Sequence, residues 1–297
     1  MKYETLIWSG CSHSFGSGIM DEDFNSFINE YGSLENAPVK FCHPKCYDDF
    51  PNVVTVADAK EAIKQRAYPH QIGKKLGFKN TYNLSVQGAG IETQLRNVSS
   101  FIIENEDKID FSKSVFCYQL PAFNRVEIVL NNEDASFNAD GWGWSTFNFR
   151  GLEDNSEWGM DFFLRHFDFD YYTAKFLMYL YEYKGFLESK GILFLPFEHF
   201  PENIINNINK LYPYQRNEEI IQNKMNNRTS WTHHKQIFPD RKTLLKKIDM
   251  WDTNFQKPIL PKTLRDVGYC NDNHFSPEGH DAVAHNLSIQ LKEKLSI

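Results

Sequence analysis

Long apolar runs are missing from this sequence of 297 residues. No stretch approaches the roughly 18 consecutive apolar residues that a membrane-spanning helix requires. The opening Met1-Lys2-Tyr3-Glu4-Thr5 leads to only a few weakly apolar residues before Gly10, too short for the apolar region of a signal peptide. The five cysteines, at 11, 42, 46, 117 and 270, are odd in number and scattered, so no disulfide framework is legible. Cys42 and Cys46 would need His233 or His234 to complete a zinc site, and no second cysteine pair exists, so no metal is expected. Positive charge is also short. Lys and Arg number 32 against 39 Asp and Glu, a net charge of -7, whereas a general nucleic-acid binder carries a basic footprint. No glycine fingerprint followed by a ribose-binding acid is present, so no dinucleotide or other cofactor is expected. The expectation is a cytoplasmic protein of a reducing compartment, without nucleic-acid or membrane partners. Internal repeats and low-complexity linkers are absent too, which favours one domain over residues 1–297.

What is present is ordinary globular material. Hydrophobic residues make up 41% and charged residues 24%. A chain of this length buries about three-quarters of its unfolded surface, so its core needs no staples. Aromatic residues, at 15%, are plentiful and could equip a carbohydrate-stacking surface.

The stretch that organises the rest is Gly10-Cys11-Ser12-His13-Ser14-Phe15-Gly16. It follows Thr5-Leu6-Ile7-Trp8-Ser9, apolar without alternation and therefore read as a buried strand. Glycines at both ends let the backbone bend sharply and leave Ser12 at the strand's C-terminal edge, where open parallel sheets bind ligands. A helix starting there would direct its first N–H groups at an oxyanion beside Ser12. At the other end, Asn271-Asp272-Asn273-His274-Phe275-Ser276-Pro277 runs into an amphipathic helix. Ser276 suits its N-cap and Pro277 its first position, with Val283, Leu287, Leu291 and Leu295 on one face. A serine at one end and Asp272 with His274 at the other supply a nucleophile, an orienter and a base once folding joins them.

Between these ends, strands and helices alternate. Tyr68-Pro69 opens a helix to about Leu76, stopped by Gly77. Asn80 to Val86 reads as a strand ending at Gln87-Gly88-Ala89-Gly90, and Ile91, Leu95, Val98 and Ile102 mark the helix that follows. Ser114 to Leu120 is a third strand. Asp170 to Lys190 is the longest helix, with Phe176, Leu177, Leu180, Tyr183 and Leu187 on one face, and Ile192 to Phe197 is a fourth strand. A further helical stretch lies near Leu244 to Ile248. The pattern predicts an α/β fold, a flavodoxin-like three-layer sandwich with a mainly parallel five-stranded sheet. Large insertions cover about 20–66 and 130–165. The second holds Trp142 and Trp144 without a clear period and leaves a strand edge that faces the site, as a lid, a substrate platform or a small satellite core would.

The two end motifs and their placement resemble the SGNH (GDSL-type) hydrolase superfamily of esterases and acyl hydrolases. Gly10 to Gly16 corresponds to its first block, with Cys11 in place of the usual Asp. Asn83-Leu84-Ser85-Val86-Gln87-Gly88 corresponds to its second, and Asp272-Asn273-His274 to the shorter form of its last. The third block, Gly-x-Asn-Asp, has no clean counterpart. The resemblance implies a serine esterase, with Ser12 as nucleophile, His274 as base and Asp272 as orienter. It places the oxyanion hole at the N–H groups of Ser12 and Gly88, with a side-chain amide from Gln119 or Asn124. His13, Trp142 and Trp144 are expected to line the substrate cleft. Small acyl esters, acetyl above all and carried on a glycan or other small molecule, are the expected substrates. A binding protein that keeps the fold without turnover, recognising a glycan or protein partner, is the competing reading. Cys11 as nucleophile is a third.

Overall fold

Four parallel strands, none of them alternating strictly between apolar and polar residues, set the architecture. The computed structural model describes residues 2–10, 12–16, 63–86, 89–121, 125–129, 144–148, 169–198, 241–251, 275 and 277–297. Strand β1 (Thr5–Ser9) is buried at every position, as is β3 (Ser114–Leu120). Such runs need cover on both faces. With β2 (Asn80–Asn83) and β6 (Leu193–Glu198) they form one sheet in the order β2-β1-β3-β6, every neighbouring pair parallel. This is the doubly wound arrangement expected, with four strands in the main sheet among the described residues rather than five. The sequence marks four strands for it, at 5–9, 80–86, 114–120 and 192–197, and no fifth.

Helices cover both faces. On one side Ile7, Phe116, Tyr118 and Phe194 pack against α3 (Ile91–Asn105), α4 (Phe169–Ser189) and α5 (Arg241–Ile248). The predicted stripes supply this layer: Ile91, Leu95, Val98 and Ile102 are buried, as are Phe176, Leu177, Leu180 and Leu187. On the other side Leu6, Trp8, Val115, Cys117, Leu195 and Phe197 meet α2 (Tyr68–Leu76) and α6 (Pro277–Leu295). Gly77 ends α2 in the left-handed region, at φ 73°, with Phe78 N–H returning to Gly73 O at 3.0 Å. Gly73 itself lets α2 lie directly on β2, since a Cβ there would fall 1.9 Å from Thr81 Oγ1.

Two readings need correction. Strand β2 stops at Asn83 rather than Val86, because the Asn83 carboxamide accepts from Ser85 N–H at 3.2 Å and turns the chain. The stretch without a clear period contains order as well: within it β5 (Trp144–Asn148) pairs antiparallel with β4 (Arg125–Val129), which precedes it, as a separate two-stranded sheet. Among the described residues no helix is long and apolar enough to cross a membrane.

Candidate active site

Strand β1 delivers its chain to the C-terminal edge of the sheet, and Gly10 follows at once. Ser9 is paired with Tyr118, so Gly10 comes level with Gln119 on β3. The approach is too close for any side chain. A Cβ on Gly10 would lie 2.5 Å from Ser14 Oγ, 2.6 Å from Gln119 Oε1 and 2.9 Å from Gln119 Cβ. Ser12 then begins the short helix α1 (Ser12–Phe15). Gly16 leaves it with φ 104°, in the left-handed region and packed on Ile63 and Ala67.

Beneath this turn lies a closed polar cluster. The Ser14 hydroxyl accepts from Trp8 Nε1 at 3.2 Å, sits 2.5 Å from Tyr68 OH, and donates to Gln119 Oε1. Tyr68 OH is 3.3 Å from Gln119 Oε1 as well, its single hydrogen shared between that oxygen and Ser14 Oγ. Trp8, Ser14, Tyr68 and Gln119 are all fully buried. Three donors therefore converge: the indole N–H and two hydroxyls. A carboxamide oxygen completes such a group, whereas an inward amide nitrogen would leave a hydroxyl hydrogen without an acceptor. The orientation that satisfies the cluster turns Gln119 Nε2 away from it, and Nε2 has no hydrogen-bond partner among the described residues.

The segment after β2 is fastened to the same turn. Asn83 Nδ2 donates to Ser14 O at 2.8 Å, Leu84 N–H to Trp8 O at 2.7 Å, and Val86 N–H to Gly10 O at 3.2 Å. These bonds bring the chain to within two residues of Gly88 while it runs along the turn.

The remaining wall comes from α6. Phe275, the residue after His274, is buried in the layer that holds Trp8 and Tyr68. Its ring meets that of His280 edge-on, with centroids 5.7 Å apart. His280 stacks on Tyr68, also at 5.7 Å, and its Nδ1 accepts from Tyr68 N–H at 3.2 Å. Arg66 and Asp281 close the same seam at 3.0 Å.

Among the sequence-derived candidates, the structure brings together the Ser12 turn and Gln119. Ser12 and His13 are placed as the first two residues of α1, and Trp144 as the first residue of β5. Gly88, Asn124, Trp142, Asp272 and His274 lie outside the described residues, as do Cys11, Cys42, Cys46, His233 and His234. Cys117 is a free, buried thiol, and burial pushes its pKa well above the ordinary range, so it is not a neutral-pH nucleophile. Sequence reasoning missed Ser14, Tyr68 and Asn83. Ser14 and Asn83 sit inside the first two motifs with no role assigned by them, and Tyr68 reads as a helix start. Its place four residues before Ile72, on the buried face of an amphipathic helix, is the signal that could have found it.

No protein-family profile matches the chain, and no curated protein matches it. Among solved structures the chain is similar to a protein described as lipolytic, of the G-D-S-L family, from Desulfitobacterium hafniense DCB-2. That similarity covers 97% of this chain and 99% of the other, at 10% identity and a TM-score of 0.40.

Proposed function

We propose that the protein is a serine ester hydrolase acting on small acyl esters, acetyl esters of carbohydrates foremost. The observation that carries this reading is the construction around the Gly10–Gly16 turn. It sits at the C-terminal edge of a central parallel strand, is held from below by Ser14 and Asn83, and lies beside a Gln119 amide whose oxygen is already engaged. In this reading Ser12 Oγ attacks the ester carbonyl carbon while His274 takes its proton. The carbonyl π electrons move to oxygen, and the resulting oxyanion is met by the N–H groups of Ser12 and Gly88 and by Gln119 Nε2. Each such donor is worth about 3 to 4 kcal/mol of barrier. Collapse expels the alcohol, which receives the proton from His274. Water, deprotonated by the same imidazole, then releases the acid and restores Ser12. Asp272 holds the imidazole tautomer and stabilises the imidazolium without taking the proton. In this reading Trp142 and Trp144, which follow β3 in the sequence, would offer flat apolar faces to a sugar ring.

The test is turnover and labelling. The purified protein is expected to hydrolyse an aryl acetate and an acetylated sugar, and a serine-directed phosphonate to label Ser12. Ser12→Ala should remove the label and most of the turnover, while Cys11→Ala should keep both. Absence of turnover on acetyl, butyryl and acetyl-sugar esters, together with absence of label, would replace this reading by that of a binding cleft without chemistry.

A further inference from the structure

The proposed triad draws its nucleophile and its base from segments more than two hundred residues apart in sequence. Productive contact between such groups is about 2.6 to 3.2 Å, and a misplacement of about 1 Å costs roughly a hundredfold in rate. The sheet fixes only one of the two segments, because β1 carries the Ser12 turn while His274 precedes α6. A rigid connection between the turn and α6 is therefore required.

We infer that Tyr68 is that connection, a positioning residue that fixes the Ser12 turn relative to the helix following His274. The inference rests on the esterase reading. The side chain of Tyr68 reaches the turn, its hydroxyl lying 2.5 Å from Ser14 Oγ, two residues after Ser12. Its backbone reaches α6, with its N–H donating to His280 Nδ1 at 3.2 Å. Its ring stacks on His280, and His280 in turn packs on Phe275, the neighbour of His274. Ser14, Tyr68 and His280 are each fully buried, so the strut has no solvent along it to soften it. One side chain and its own amide thus span from the nucleophile's turn to the base's helix. An ordinary core tyrosine also needs a partner for its hydroxyl. What marks Tyr68 out is that its partners lie on the two segments adjoining the proposed nucleophile and base, Ser14 on the Ser12 turn and His280 on the helix that follows His274.

Tyr68→Phe removes the hydroxyl and keeps the ring and the N–H. It is expected to lower kcat by about ten- to a hundredfold, with KM within twofold, and to slow phosphonate labelling of Ser12 by the same factor. Ser14→Ala cuts the same bond from the other side, so the double variant should lose little more than either single one. Tyr183→Phe is the comparison. That hydroxyl is bonded to Ser99 Oγ at 3.1 Å and Leu95 O at 3.2 Å in the opposite layer, so its loss should cost stability and leave kcat within twofold. Were Tyr68→Phe not to fold, Ser14→Ala would carry the same expectation alone. A labelled, active wild type whose Tyr68→Phe and Ser14→Ala variants react at the wild-type rate overturns this inference and leaves the esterase reading standing. So does a kcat loss that Tyr183→Phe reproduces at equal destabilisation. A wild type with neither turnover nor label overturns both together.

Discussion

Ser14 Oγ and Tyr68 OH, 54 positions apart in the chain, lie 2.5 Å from each other in a fully buried setting beneath the Ser12 turn. The pair does more than hold two segments together. Ser14 donates to Gln119 Oε1, and the Tyr68 hydrogen lies between Ser14 Oγ and that same oxygen, so the pair decides which end of the carboxamide is left free of the cluster.

Gln119→Glu separates the two ends of the amide. A carboxylate keeps an oxygen for Ser14 and Tyr68 but replaces the Nε2 donor with an acceptor that repels an oxyanion. We expect kcat to fall by about a hundred- to a thousandfold, the usual effect of losing one oxyanion donor, with Asn124→Asp losing less than about fivefold. Steady-state kinetics on an aryl acetate decide the matter, and a reversed ranking would transfer the role to Asn124.

Gly10→Ala tests the packing of the turn. Its Cβ would stand 2.5 Å from Ser14 Oγ and 2.6 Å from Gln119 Oε1, both of them held by other partners, so neither can withdraw without breaking the cluster. Urea unfolding should show a loss of about 1 to 3 kcal/mol, the usual cost of overpacking, and turnover should fall with it. Wild-type stability would mean that the turn can shift freely on the sheet edge.

Asp272→Asn addresses the orienting carboxylate. Without the negative charge the imidazole loses its preferred tautomer, and kcat should drop by up to about ten-thousandfold. A loss smaller than about fivefold would assign the role to another acid or to a backbone carbonyl.

Cys117 supplies a pH prediction. Burial favours its neutral thiol, so its pKa in the folded protein is raised. The contribution to stability is therefore complete below the unfolded thiol's pKa, about 8.5, and declines as pH rises above it. At pH 8, iodoacetamide should leave Cys117 unmodified in the native protein and alkylate it in urea. Mass spectrometry of the peptide carrying Cys117 reads the result, and rapid native alkylation would contradict it.

The sheet and its covering helices were legible because their signals are local. Leu6-Ile7-Trp8 is a buried run, Val283, Leu287, Leu291 and Leu295 keep a helical period, and Gly77 needs a positive φ that the structure supplies. The early end of β2 was not legible, since it depends on the Asn83 side chain choosing Ser14 O and Ser85 N–H. The β4–β5 hairpin was hidden for another reason. Its strands are short, and long polar stretches surround them. In the candidate site, the glycine turn at the end of β1 was readable because Gly10 and Gly16 carry a backbone signal directly. The support beneath it was not. Ser14, Tyr68 and Gln119 are scattered in sequence and meet only through the parallel register of β1 with β3 and the docking of α2.

The seam between α2 and α6 has a kinetic meaning. Tyr68 and His280 are 212 positions apart, and β1 must find β3, whose Ser114 pairs with Thr5. Contacts of such separation form late, because a long loop must close before any of them contributes. Until α6 docks, Leu6, Trp8 and Phe197 face water on one side of the sheet. A chain caught at that stage would hold much of its helix content and lack the seam beside Phe275. Recovery of turnover in a refolding experiment should therefore lag behind recovery of the far-ultraviolet helix signal, and the same interval is when the exposed face can capture other chains.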